Sequence, residues 1–205
     1  MEQKGIFTEE VIHSWSDAGV ISTTFGPDEA RERILLALDN TIRFNGMMKV
    51  PWSVLSHSWM VGVLAEDYAV TARCHAGRQV LAHLMGMLHD LGEAIVGDMV
   101  WPLKDGRFKG VYDSAYLPLE RAFRDWAGEY AFGISGFSEK YVDVEEFVAK
   151  ADAFMGNLEM FGASGIADYG FAVYARPFFD YPVSVEKFSD GVEFFRLELE
   201  KYDGQ

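Results

Sequence analysis

The sequence predicts an all-α chain, and three observations carry that expectation. Apolar residues recur at i, i+3 and i+4 along most of its length. Short stretches of Gly, Pro and Asn separate these periodic segments, as loops do between helices. No convincing run of alternating residues, internal repeat or low-complexity tract interrupts the pattern. With 205 residues, 49% of them apolar, the chain can bury one sizeable core, which points to a single domain over 1–205. Its centre is expected at about 28–165, with helical extensions at both ends.

The elements follow in order. A first helix is expected near 8–18. A second, near 28–40, comes from "PDEARERILLALDN", where Pro27 has the φ of a first turn and Asp28 and Glu29 complement the helix dipole. "IRFNGMMKVPWS" reads as a loop. Helices follow near 56–73 and near 78–96, the latter carrying "HLMGMLHDLGEAIVGD". "WPLKDGRFKG" reads as a second loop. Further helices are expected near 114–131 and near 143–162, with Glu145 and Glu146 in a solvated first turn. "YARPFFDYPVSV", with two prolines and several aromatics, is expected to be an irregular, aromatic-rich segment over the core. A last helix is expected near 185–200.

Composition narrows the function. A net charge of −14 repels phosphate backbones and argues against a nucleic-acid polymer as partner. A small phosphorylated ligand stays compatible if cations gather locally, and a divalent metal supplies such charge. Cys74 is the only cysteine, so intrachain disulfides and cysteine zinc sites are excluded, and a metal would need His, Asp or Glu. No window approaches 18 uninterrupted apolar residues, so no membrane partner is expected. "MEQKGIFTEEVIHSW" lacks a signal-peptide layout, which points to a cytoplasmic protein.

The stretch around His89 holds most of the chemistry. His89 and Glu93 are four apart and Asp90 and Glu93 three apart, so each pair would share a face of a helix. His and Asp together suit manganese, iron, cobalt, zinc or nickel. A doublet needs further ligands. His57 opens an earlier apolar helix, and Asp152 sits mid-helix among Ala151, Ala153, Phe154 and Met155. From the residues alone the alternative is a charged surface, with Asp152 paired to Lys150 or facing solvent.

The order His57, His89-Asp90, Asp152 resembles the signature of HD-domain metal-dependent phosphohydrolases. "HDLGEAIVGDMVWPLK", "KADAFMGNLE" and "IRFNG" are similar, within that family, to the bacterial 5′-deoxynucleotidases and related phage deoxynucleoside triphosphate (dATP) triphosphohydrolases. Phe44 stands where that branch often has Trp. The resemblance covers roughly residues 40–162 and implies a single HD-domain helical bundle.

It further implies that His57, His89, Asp90 and Asp152 hold one divalent ion (Co, Mn, Zn, Mg or Fe) acting as a Lewis acid and lowering the pKa of bound water. Glu93 would orient or deprotonate the attacking water. Asp98 would protonate the leaving oxygen, or join Glu93 in holding a second ion. Arg43 and Lys104 would grip phosphate, Arg as a fork and Lys as a point charge. Phe44 or Trp52 would wall off base or sugar. The substrate would be a deoxynucleoside 5′-monophosphate or 5′-triphosphate, with Lys49, Lys104, Arg107 and Lys109 in the bordering loops. Members of this branch tend to be homo-oligomers.

Other conspicuous residues have plainer readings. His83 is expected to be structural, and His75 and His13 to lie on the surface. Met85, Met87, Met99, Met155 and Met160 are expected to fill the core, with Trp59 and Met60. Two competing functions remain: a catalytically silent HD-fold module that binds nucleotide or metal, and a helical interaction protein with a charged face.

Overall fold

The computed structural model describes residues 25–46, 51–99, 104, 108–163 and 182–202. Within them the chain is all-α: α1 (Pro27–Asn40), α2 (Val54–Thr71), α3 (Ala76–Met87), α4 (Glu93–Val96), α5 (Lys109–Val111), α6 (Leu117–Tyr130), α7 (Phe137–Ala163) and α8 (Val185–Glu200). A 3₁₀ turn, Arg43–Gly46, precedes α2, and a π-helical turn, Tyr112–Tyr116, joins α5 to α6. The expected helix near 8–18 lies outside the described residues, as does the aromatic segment up to residue 181. Among the described residues no helix is long and apolar enough to cross a membrane.

Helix starts follow the local chemistry. Pro27 opens α1 with Asp28 and Glu29 in its first turn. Ser53 Oγ accepts from Ser56 N at the start of α2, and Ser184 Oγ from Lys187 N at the start of α8. His75, exposed, caps α3 by accepting from Arg78 N through its ring. Helix α7 begins earlier than the sequence suggests. Gly133 and Gly136 take positive φ, turning the chain so that Phe137, Tyr141 and Val144 extend the apolar stripe through Phe147, Val148, Ala151, Met155 and Leu158. Glu145 and Glu146, though exposed, are therefore in the body of the helix.

At the centre α2 packs on α3, and α7 lies across both. A Cβ added to Gly86 would lie 2.7 Å from Gly62 Cα, so the backbones of α2 and α3 meet directly there. Gly86→Ala must push the helices apart. We expect a loss of about 1–3 kcal/mol, the usual range for overpacking, read as a lower urea midpoint with an unchanged slope.

One expected element is corrected. The helix near 78–96 is not continuous: α3 ends at Met87, and turns with three-residue hydrogen-bond spacing, such as Glu93 N–H to Asp90 O at 2.9 Å, carry the chain to α4. The cause is local. An unbroken helix would offer Gly86 O to the Asp90 N–H, but His89 Nδ1 donates to that carbonyl at 2.8 Å. Gly92 then passes so close to α6 that a Cβ there would collide with Glu120 O.

Candidate metal centre

The break after α3 turns His89 and Asp90 toward His57 on α2 and Asp152 on α7. His57 Nε2 lies 3.1 Å from Asp152 Oδ1 and 3.6 Å from Asp90 Oδ2. His89 Nε2 lies 3.1 Å from Asp90 Oδ2 and 3.8 Å from Asp152 Oδ1. The donor atoms of His57, His89 and Asp152 thus lie within 4.8 Å of one another, and Asp90 Oδ2 comes against both imidazole nitrogens of that group. Bonds of about 2.0–2.2 Å to a common ion would separate such donors by roughly 3.0–3.5 Å, which the set nearly meets. His89 Nε2 is buried yet has no hydrogen-bond partner of acceptable geometry among the described residues, so its lone pair has only that cluster to serve.

Both rings are oriented from behind. His89 Nδ1–H goes to Gly86 O, and His57 Nδ1–H goes to Glu159 Oε1 at 2.8 Å, leaving each Nε2 as the basic nitrogen. Burial and Arg43 push the His57 imidazole down, but Glu159 and Asp152 outweigh them and hold it up at about 9. His89 is likewise held well above its ordinary value, against burial, by Asp90 and Asp152. Burial pushes Asp90 and Asp152 up, yet the two imidazoles hold both carboxyls well down. The cluster therefore attracts positive charge, protons included, and metal binding there would compete with protonation.

Around it lies a cleft of about 470 Å³, within the range of small-molecule sites. Among the described residues Asp90, Glu93, Asp98 and Asp152 line it beside two cations, Arg43 and Lys104. Such a cleft repels phosphate unless further positive charge is present. Glu93 is 1% exposed. Its Oε1 accepts from Lys104 Nζ at 3.0 Å, and Oε2 has no hydrogen-bond partner among the described residues. Burial and the neighbouring Asp90 push its carboxyl up to about 8, against Lys104 and Arg43. Carboxylate oxygens of Asp90, Glu93 and Glu120 come within 4.8 Å of one another.

Arg43 is 8% exposed and faces four carboxylates. Its Nε meets Glu159 at 3.3 Å and its Nη1 meets Asp98 at 2.8 Å, with Glu93 at 3.8 Å and Asp90 at 4.0 Å. The bridge between Ile42 and Ser53 brings it there, with Arg43 N–H donating to Trp52 O. Phe44 takes φ of 55°, a left-handed conformation uncommon for an aromatic residue, and its N–H donates to Asp98 Oδ2. Asp98 thus has both oxygens engaged by the turn that carries Arg43.

The structure brings together His57, His89, Asp90, Asp152, Glu93, Asp98, Arg43, Phe44 and Lys104. It does not bring Trp52. That ring is 1% exposed and joins the core, where a large apolar surface gains most from burial, so its expected place beside a substrate is corrected. Met85, Met87 and Met155 are core, whereas Met99 and Met160 line the cleft. Trp59 and Met60 pack against the core half-buried. His83 is structural: Nδ1 pairs with Glu66 at 2.7 Å and the ring stacks on Phe195 at 3.7 Å between centroids. Lys150 pairs with Glu146, not Asp152. Lys109 is exposed and pairs with Asp113; Lys49, Arg107 and His13 lie outside the described residues.

Glu159 was missed by sequence reasoning. A signal existed: it falls four after buried Met155 and seven after Asp152, on the stripe of α7 that faces the core.

No family model matches the chain, and no curated protein does. Among solved structures it is similar to the HD phosphohydrolase of cyanophage S-2L (DatZ), bound to dA and one catalytic Zn²⁺ ion. That similarity has 17% sequence identity and a TM-score of 0.47, and covers 83% of this chain and 95% of that one.

Proposed function

We propose that the chain is a metal-dependent phosphohydrolase of the HD type, a single domain over 1–205 acting on deoxynucleoside 5′-phosphates, mono- or tri-. The observation that carries this reading is the convergence of His57 Nε2, His89 Nε2 and one oxygen each of Asp90 and Asp152, with His89 Nε2 otherwise unpartnered. Those four residues would hold one divalent ion of the Mn, Fe, Co, Zn or Mg type. When bound, the ion supplies Lewis-acid polarisation at phosphorus and acidifies water.

The remaining roles belong to the chain. Glu93, beside Asp90, is the base that takes the proton from the attacking water, and its burial keeps its pKa close to the working range. Lys104, which donates to Glu93, is held charged by it and offers a cation to the phosphate. Arg43 offers guanidinium hydrogens to phosphate oxygens. Asp98 holds Arg43 and the Phe44 backbone, and the resemblance to the HD branch gives it the leaving oxygen, or a second ion shared with Glu93. Phe44 walls the cleft where a sugar or base would lie. Deoxynucleotide as substrate and homo-oligomerisation rest on the residues that resemble the HD branch.

The test is a panel of deoxy- and ribonucleoside mono- and triphosphates with Mn²⁺, Co²⁺, Mg²⁺ or Zn²⁺, with products identified. Release of phosphate or triphosphate from a deoxynucleotide is expected. No phosphate, pyrophosphate or triphosphate in any combination would sink the reading, and tight nucleotide binding without turnover would leave the silent binding module.

A further inference from the structure

The geometry points to Glu159 as a positioning residue that ties the metal ligand His57 to the phosphate-gripping Arg43, so that metal affinity and substrate affinity rise and fall together. This rests on the reading of the site as a metal-dependent phosphohydrolase.

Glu159 is fully buried, on the core side of α7 two turns beyond Asp152. A carboxylate there must be paired or it would be costly to bury. Its two oxygens serve two different groups: Oε1 accepts from His57 Nδ1 at 2.8 Å and Oε2 from Arg43 Nε at 3.3 Å.

The two contacts act on different parts of the site. Accepting from Nδ1–H fixes the His57 tautomer, keeps the Nε2 lone pair toward Asp152 and Asp90, and raises ligand basicity. Accepting from Nε–H, with Asp98 on Nη1, clamps the guanidinium from two sides. Nη2 makes no hydrogen bond among the described residues and is the nitrogen left for a phosphate oxygen. Asp90 also approaches both groups, at 3.6 Å from His57 and 4.0 Å from Arg43, but among the described residues Glu159, outside the cleft lining, is the one that hydrogen-bonds both.

Glu159→Gln separates this role from simple packing. The amide has nearly the same shape but one acceptor end, so it can receive from His57 or from Arg43 and must turn its NH₂ toward the other. Titrating the full chain with Mn²⁺ alone by calorimetry, E159Q is expected to bind 10- to 100-fold more weakly than wild type, the range for lost outer-shell partners. With metal raised until the variant is saturated, KM for the hydrolysed deoxynucleotide is expected to rise, with kcat changing less.

If wild type binds no Mn²⁺, Co²⁺ or Zn²⁺, the metal-centre reading itself fails. If wild type binds and E159Q binds equally well, only the role of Glu159 is overturned, even if melting falls. Should E159Q not fold, histidine ¹⁵N spectra of zinc-loaded wild type decide: His57 protonated on Nδ1 supports the assignment, and metal on Nδ1 or a proton on Nε2 overturns it.

Discussion

Asp90→Ala protein is expected to purify without stoichiometric divalent metal and to lose hydrolysis by about 10³-fold or more. The size follows from the several kcal/mol a metal supplies to phosphoryl chemistry, at roughly 1.4 kcal/mol per tenfold in rate. Asp90 is the residue to remove because its Oδ2 lies near both imidazole nitrogens, 3.1 Å from His89 and 3.6 Å from His57. Without it the two imidazole Nε2 atoms keep Asp152 as their carboxylate neighbour, and metal affinity should fall by more than the 10- to 100-fold typical of outer-shell changes. Stability gives an independent reading. An ion present at about 100 times its Kd stabilises the native state by about 2.7 kcal/mol, or roughly 5–10 °C for a chain of this size. Chelator should therefore lower the melting temperature of metal-loaded wild type by that much and leave Asp90→Ala unmoved. Retained metal together with retained turnover would refute the assignment.

Glu93→Gln should behave differently, keeping its metal while losing turnover by about 10²- to 10⁴-fold, the usual contribution of a positioned acid or base. Glu93 stands beside the convergent donors without being one of them. Gln keeps its volume and can still accept from Lys104 Nζ, so the buried site stays filled. The sign of the pH dependence is fixed by the base role. Activity requires the ionised carboxylate and falls as pH drops through its pKa. In the metal-free chain, burial and Asp90 push that value from 4.5 up to about 8. A nearby cation favours ionisation, so the acidic limb of the wild-type rate profile should fall between those two values and disappear from the residual activity of the variant. Metal analysis beside the rate measurement checks the separation: a variant that loses its metal, or turns over within a few-fold of wild type, would remove Glu93 from the mechanism.

Much of this arrangement is legible in the sequence. The bodies of α1, α2, α6 and α8 follow from apolar periodicity, and the four proposed ligands from the resemblance of their order to the HD signature. What periodicity does not record comes from side chains acting on the backbone. His89 takes a carbonyl from its own helix, and no hydrophobic pattern registers that competition, so an interrupted segment reads as one helix. Glu159 escapes notice because a carboxylate beside Leu158 and Met160 resembles a surface residue until His57 and Arg43, 102 and 116 positions earlier, are placed against it. Trp52 misleads the other way: an aromatic in a loop looks available for stacking, but the bridge between Ile42 and Ser53 makes that loop part of the core's edge.

The contact of Gly62 with Gly86 has a consequence for tolerance to change. His57 stands five residues before one of these glycines and His89 three after the other. The gap between the two rings is therefore set by main chain touching main chain, like a caliper closed on its stop. Small alterations at the crossing point, 5 or fewer positions from either histidine along the chain, open that gap. A screen for variants with altered metal preference should thus find few hits among the ligands' apolar neighbours and concentrate them at these two glycines.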